Sequence, residues 1–597
     1  MSRDASEQFP QVAAQTRWLD AYRALNVTLP RPTPTSADAT RARELIDAEL
    51  AGVRLLTSAL NERRNELALP SLLPPEVLAH IFSFLSEVYP INLAHGYYTS
   101  PSTLGWVFVT HVCRRWRHVC LGQPALWAHL DTDGRQPWNI FLERAKESPL
   151  SINGSLNRDR GNPLQRINSI LAHQHHLREL TLLSLRPSQV LELADGFDGS
   201  ATRLRTLMLS CSPAGSESIP LLPTSFLSRI APNIEQLALN CVLFLWGGSY
   251  PKLTRLHYHP GVQRTHHTRP GDAIFDVVRT LRRLPVLKDL RLDDAYAEES
   301  QDFETDTPIS LPSLESVSMK TKGDSCWRLW SRLLIPATAV IFISSTRRTA
   351  VGDLIAHTLR DHLRTSPYAS FSTMSIQLPH ESKVVFSMDD LEPIDGVSNS
   401  SCYHPAEITL HIPVTAAETL ARQLASEVRL ENIHDLTCDS VGIRNSRVFF
   451  ETFVTARSVT GLTLVGSGAG SAIAAMRHSS TTDMSRQGTK SKSPSSRDDR
   501  VLFPNLRVLT CSTINFDQLL LDDPEDQNIR VHAALSQALA LRSTTLTTLH
   551  IETCDVSKEW VDALRALSVA EVVWDEDEGE LGERADEEGS FSDTYSV

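Results

Sequence analysis

The period of the apolar positions changes along the chain, and each change marks a different kind of element. From Asp38 to Leu69 the period is helical: Ile46, Val53, Leu60 and Leu67 recur every seven residues, with Ala42 and Leu56 on neighbouring positions. Pro70 ends that helix, because it has no N–H to donate and its ring clashes with the preceding turn. Two readings stand, one strand of a coiled coil or a single helix lying on the next domain. Glu49 and Arg63 interrupt the stripe, which spans only about four heptads, so the second is preferred.

The next stretch, "SLLPPEVLAHIFSFL" from Ser71 to Leu85, is a short helix that is apolar nearly all round. Pro74 and Pro75 suit its first turn, where a missing N–H costs nothing, and Glu76 complements the positive end of the helix dipole. Val77, Leu78, Ile81, Phe82 and Leu85 form its broad apolar face. After the loop "YPINLAHGYYTSPSTLG", a second helix is predicted over "WVFVTHVCRRWRHVC", with Val109, Val112, Cys113, Trp116, Val119 and Cys120 at helical spacing. "LGQPALWAHL" closes the unit with Trp127. Three short helices in so few residues bury too little surface to be robust alone, and the excess apolar face implies a partner.

Beyond this unit the pattern becomes that of strands. "LRELTL" at Leu177 is followed by "LRTLML" at Leu204, "IEQLAL" at Ile234, "LTRLHY" at Leu253, "LKDLRL" at Leu287 and "LESVSM" at Leu314. The same signal returns as "IHDLTC" at Ile433, "LRVLTC" at Leu506 and "LTTLHI" at Leu546. Several carry a proline two residues earlier, and through Leu314 the starts fall 27, 30, 19, 34 and 27 residues apart. "TAVIFI", "TMSIQL" and "AEITLHI" fill the gap before Ile433 as degenerate strands.

Two families are resembled. Leu-Pro-Pro-Glu-x-Leu-x-x-Ile-Phe-x-x-Leu, then Val-Cys-Arg-x-Trp, then Pro-x-Leu-Trp, all in order between Ser71 and Leu130, resemble an F-box, apart from a longer and more aromatic first loop. The strand signals resemble irregular leucine-rich repeats, whose period is about 20–29 residues. The resemblance implies a non-catalytic substrate-recognition subunit of an SCF-type ubiquitin ligase. Its F-box would bind a Skp-family adaptor and through it a cullin, and its repeats would bind an unknown protein substrate. By motif match the adaptor-facing residues are Leu73, Pro74, Leu78, Ile81, Phe82 and Leu85, followed by Val112 and Trp116. The alternative is a repeat scaffold acting outside any ligase, its F-box helices docked on the repeats.

Composition narrows this picture without redirecting it. The chain has 597 residues, 41% hydrophobic and 22% charged, which suits a multidomain globular protein. Its net charge of −13 is uneven, since the last 23 residues hold ten acids against one arginine. No basic stripe points to nucleic acid, no apolar run approaches a membrane span, and the start lacks a secretory signal core. Nine scattered cysteines argue against a disulfide framework, so the expected setting is cytoplasmic and/or nuclear. No cofactor is expected. The glycines at 466, 468 and 470 lack dinucleotide-binding spacing and read as a linker, and no His/Cys set has metal-ligand spacing.

The expected class is α/β, a small all-α F-box followed by an irregular leucine-rich-repeat solenoid. The limits are a disordered arm over 1–36, an amphipathic helix over 37–69, the F-box over 71–130 and the repeats over 135–574. A disordered insertion over 466–500 and an acidic tail over 575–597 complete the division.

Overall fold

Helix-forming sequence fills the first part of the chain and alternating sequence the rest, and the computed structural model follows that division. It describes residues 8–28, 36–91, 105–132, 137–156, 163–199, 201–214, 217–223, 226, 233–261, 274–295, 308–365, 371–380, 383–389, 407–439, 445–477, 501–520, 529–567 and 570–579. These fall into two units, residues 1–130 with 134–148, and residues 131–133 with 149–597.

The first unit is helical. It contains α1 (Gln8–Thr28), α2 (Ser36–Glu66), α3 (Pro75–Val88), α4 (Arg114–Leu121) and α5 (Trp138–Ala145), with 3₁₀ turns at Leu69–Leu72, Gly105–His111 and Pro124–Trp127. Helix α1 corrects the expected arm over 1–36. Its polar composition is rich in Ala, Gln, Arg and Leu, all good helix formers, and the prolines that suggested extension begin only beyond its end. The single second helix is corrected too. The segment breaks at Cys113, whose φ of −156° and ψ of 168° are extended, and its Sγ accepts from the Trp116 N–H at 3.4 Å to cap α4. The β-branched Val107, Val109, Thr110 and Val112 disfavour an uninterrupted α-helix there.

The core of this unit collects Leu78, Phe82, Trp106, Val109, Val119, Cys120, Leu126, Trp127 and Phe141. Trp127 meets Trp106 and Phe141 edge-on, each at 5.0 Å, while its Nε1–H donates to the Cys120 carbonyl at 2.8 Å. Such pairs add about 0.5–1.5 kcal/mol each beyond area burial. The Arg144 guanidinium lies 4.3 Å from the Trp127 ring centre. Helix α5 therefore belongs with the helices, not with the repeats expected from 135 onward. Gly105 has φ +52°, and a Cβ there would come within 2.4 Å of the Pro90 carbonyl oxygen, so only glycine fits.

The second unit is built on a long, mostly parallel sheet. Its strands are β1 (Leu150–Ser155), β2 (Leu177–Leu185), β3 (Thr206–Cys211), β4 (Gln236–Asn240), β5 (Arg255–His259), β6 (Asp289–Asp293), β7 (Ser316–Thr321) and β8 (Val340–Ser345). They continue as β9 (Thr373–His380), β10 (Lys383–Asp389), β11 (Glu407–Pro413), β12 (Asp435–Asp439), β13 (Gly461–Val465), β14 (Val508–Ser512), β15 (Thr548–Glu552) and β16 (Glu571–Trp574). From β1 to β8 each strand pairs in parallel with the next, and from β12 to β16 the same rule returns.

Between those arrays the order inverts. Strand β8 pairs with β11, which pairs antiparallel with β10, which pairs antiparallel with β9, which pairs with β12. The three degenerate segments are thus strands, but an additional one, β10, inserts among them and reverses their spatial order.

All nine quoted signals are strands, and none of their Leu-x-x-Leu-x-Leu positions is more than 4% exposed. Alternate residues face away and stay partly exposed, so the sheet is covered by crossover helices on one face and open on the other. The insertion expected over 466–500 is corrected at its start. Residues Ala469–Arg477 form a helix in which Ala469, Ala472, Ile473, Ala475 and Met476 are buried. It packs between the helices Ser446–Phe453 and Val531–Ala540, and its glycine, alanine and serine side chains permit that close approach. Residues 478–500, 92–104 and 580–597 lie outside the described residues.

Candidate functional site

Helix α3 divides its apolar side chains between two faces. Leu78 and Phe82, one turn apart, point inward and are each 1% exposed, with the Phe82 ring 5.3 Å from that of Trp116. Val77, Ile81, Phe84 and Val88 follow the same helical spacing on another face and are 41%, 45%, 66% and 70% exposed. That much bare apolar surface on one helix is unusual for a unit that buries Leu78 and Phe82 on the other face. Phe108 and Val112, both about half exposed, add to the apolar surface of the unit.

The motif residues divide accordingly. Pro74, Ile81 and Val112 are open, and Leu73, Leu85 and Trp116 are partly covered. Leu78 and Phe82 are occupied in the core of their own unit. Sequence reasoning placed Val77 on the apolar face without separating the exposed stripe from the buried one, and did not single out Phe84 or Val88. The spacing 77, 81, 84, 88 was the signal that would have found them.

The approach to α3 is fixed from α4. The Arg115 guanidinium donates to the Ser71 and Leu73 carbonyls, which a short 3₁₀ turn leaves without helical partners. Ser71 Oγ donates to the Asn65 carbonyl at 2.5 Å, and Arg114 reaches Glu62 at 2.9 Å and Ser58 at 3.2 Å. These bonds bound a groove of about 590 Å³ lined by Val53 and the polar side of α2, Ser71, Val112 and the start of α4. The basic residues between the two cysteines thus orient the Leu-Pro-Pro segment.

The open face of the sheet is the second candidate surface. Arg178, Glu179, Arg205, Arg255, Lys288, Asp289 and Arg291 all lie on its partly exposed side or at its edge. Neighbouring strands pair their charges: Arg205 with Glu235 at 3.1 Å, Lys288 with Glu315 at 2.7 Å, and Arg255 with Asp289 at 3.2 Å. Burial raises the Asp289 pKa, but the His257 hydrogen bond at 2.7 Å and the charges of His257, Arg291 and Arg255 outweigh it and hold the carboxyl below its ordinary value.

Farther along, register places Thr409, Ser387, Ser375, Thr437, Thr463 and Thr510 on one row across six adjacent strands. Isolated hydroxyl residues gave no warning of that row. It arises only once β10 and β9 are inserted in reverse order.

The buried thiols are held protonated, Cys120 pushed up to about 11 and Cys326 to about 12 by burial. Among the described residues no group of three His, Cys, Asp or Glu is placed to hold a metal ion, and His257 is engaged by Asp289. No helix among them is long and apolar enough to cross a membrane.

Residues 70–133 match the family model of the F-box-like domain. The match covers the 3₁₀ turn, α3, α4 and the Trp127 turn, so the chain carries an F-box-like domain. No curated protein matches the chain.

Proposed function

We propose that this chain is the substrate-recognition subunit of an SCF-type E3 ubiquitin ligase. The exposed Val77, Ile81, Phe84 and Val88 stripe of α3 binds the Skp-family adaptor, and the open face of the leucine-rich-repeat-like sheet binds the protein substrate. The observation that carries this reading is the division of labour on α3, within an F-box-like domain. Leu78 and Phe82 hold the domain together, while the other stripe has no work inside it.

The subunit contributes proximity rather than chemistry. Tethering raises the local concentration of a substrate lysine at the conjugating enzyme to about millimolar. The open sheet face suits a protein surface better than a small molecule, because it is long, shallow and lined by paired charges and hydroxyls.

Affinity capture of the full chain from cells tests both halves. Recovery of a Skp adaptor with a cullin is expected, and Ile81→Asp with Phe84→Asp should abolish it while the fold persists. Adaptor capture unaffected by that pair would refute the assignment of the stripe. Adaptor without cullin would favour a scaffold outside any ligase.

A further inference from the structure

Helix α2 is attached to its unit by the wrong face for a covering helix. Its contacts to α4 and the 3₁₀ turn run through Ser58, Glu62 and Asn65, which lie on its polar side. Its apolar arc is largely exposed, with Val53 at the rim of the groove against α4: Ile46 is 42% exposed, Leu50 48%, Val53 53%, Leu56 40% and Leu60 53%. The helix does lie against the next domain, but mainly through polar residues, which leaves the heptad unexplained.

We infer that α2 is a dimerisation helix that pairs antiparallel with α2 of a second copy of this chain. The repeat of Ile46, Val53 and Leu60 every seven residues keeps one seam facing a partner helix from Ile46 to Leu60, Ala42 before it being already buried. Folding back on the domain would not need that period. Leu45 and the five arc residues above, at their observed exposures, offer at most roughly 500 Å² of surface per copy. Two copies then bury up to about 1,000 Å², the threshold of a specific interface.

The two charges that interrupt the seam choose the orientation. With Val53 opposite Leu56 of the second copy, Ile46 falls opposite Arg63 and Glu49 opposite Leu60. Each Glu49 then lies one layer, about 5 Å along the axis, from the other copy's Arg63. This repeats twice by symmetry. A parallel pair would instead set Glu49 against Glu49 and Arg63 against Arg63. The competing occupant is α1 of the same chain, whose Trp18 and Tyr22 are 46% and 61% exposed.

The test is sedimentation equilibrium of the purified full chain. A dimer is expected, and Val53→Asp with Leu60→Asp should raise its dissociation constant by more than ~100-fold with an unchanged far-UV circular dichroism spectrum. Trp18→Glu with Tyr22→Glu should leave the dimer intact. Glu49→Arg should weaken it, and Arg63→Glu added to Glu49→Arg should restore it. A monomeric wild-type chain, or a dimer indifferent to Val53→Asp with Leu60→Asp, overturns the proposal. A full chain that dimerises only when Trp18 and Tyr22 are replaced assigns the arc to α1 and also overturns it. Failure of the charge reversal to restore the dimer overturns the antiparallel arrangement.

Discussion

Replacing either of two phenylalanines two positions apart on α3 should produce opposite phenotypes. Phe82 is 1% exposed and packs 5.3 Å from Trp116, whereas Phe84 is 66% exposed on the docking stripe. Phe82→Ala deletes a ring from a filled core, a change that costs about 3–5 kcal/mol because the cavity collapses only in part. A helical unit this small has little stability to spare, so amide protection in α3 and α4 should fall toward that of the open chain. Phe84→Ala removes surface already in water, and stability should move by less than about 0.5 kcal/mol. Its effect appears on binding. Full burial of a phenylalanine is worth about 1.5–3 kcal/mol, and the two-thirds still exposed leaves about 1–2 kcal/mol to be gained from an adaptor, or ~5–30-fold in affinity. Hydrogen exchange on both variants, with calorimetric titration of a purified Skp adaptor, reads both quantities. Native protection in Phe82→Ala together with wild-type affinity in Phe84→Ala would refute the assignment of faces on which the functional reading rests.

Two further outcomes follow from buried polar groups in the second unit. Arg542 is 1% exposed and donates to the Met476, Ala538 and Leu502 carbonyls at 3.1, 2.7 and 2.5 Å, tying two helix ends to a neighbouring loop. Burial lowers its pKa to about 10, so it stays charged, and Arg542→Ala should cost about 3 kcal/mol or more by leaving those carbonyls unpaired, as a urea melt followed by C-terminal probes will show. His362 is buried and its pKa falls from 6.5 to about 4 because burial penalises the charged ring. Its contribution is complete above the unfolded pKa and is lost as pH falls through the folded one, so about 2 kcal/mol should disappear between pH 7 and 5. His362→Phe should flatten that slope in urea melts at the two pH values.

What the sequence conveyed depended on whether a signal was local. The Leu-x-x-Leu-x-Leu segments were legible because alternation over six residues fixes both a strand and its buried face, and all nine took their places in the sheet. The F-box-like domain was legible for a similar reason, its three blocks lying close together in order. Missed features required knowledge of neighbours far away in the chain. Strand β10, "KVVFSMD", alternates as well as any other, yet nothing within it says that it will enter antiparallel between β9 and β11. The glycine-rich start of the helix Ala469–Arg477 reads as flexible until two flanking helices are seen to demand small side chains.

The docking residues show the same limit at finer scale. A helix that is apolar on most sides gives no internal clue to which face a small domain will use for itself. The decision falls to residues such as Trp116, which arrives after a long loop and packs on Phe82, leaving Ile81 with Val77, Phe84 and Val88 exposed. A motif match weights all conserved-looking apolar positions alike, and so it mixed the residues that build the domain with those that display it. Separating them is an argument about burial, and it determines which substitutions test binding and which merely unfold the domain.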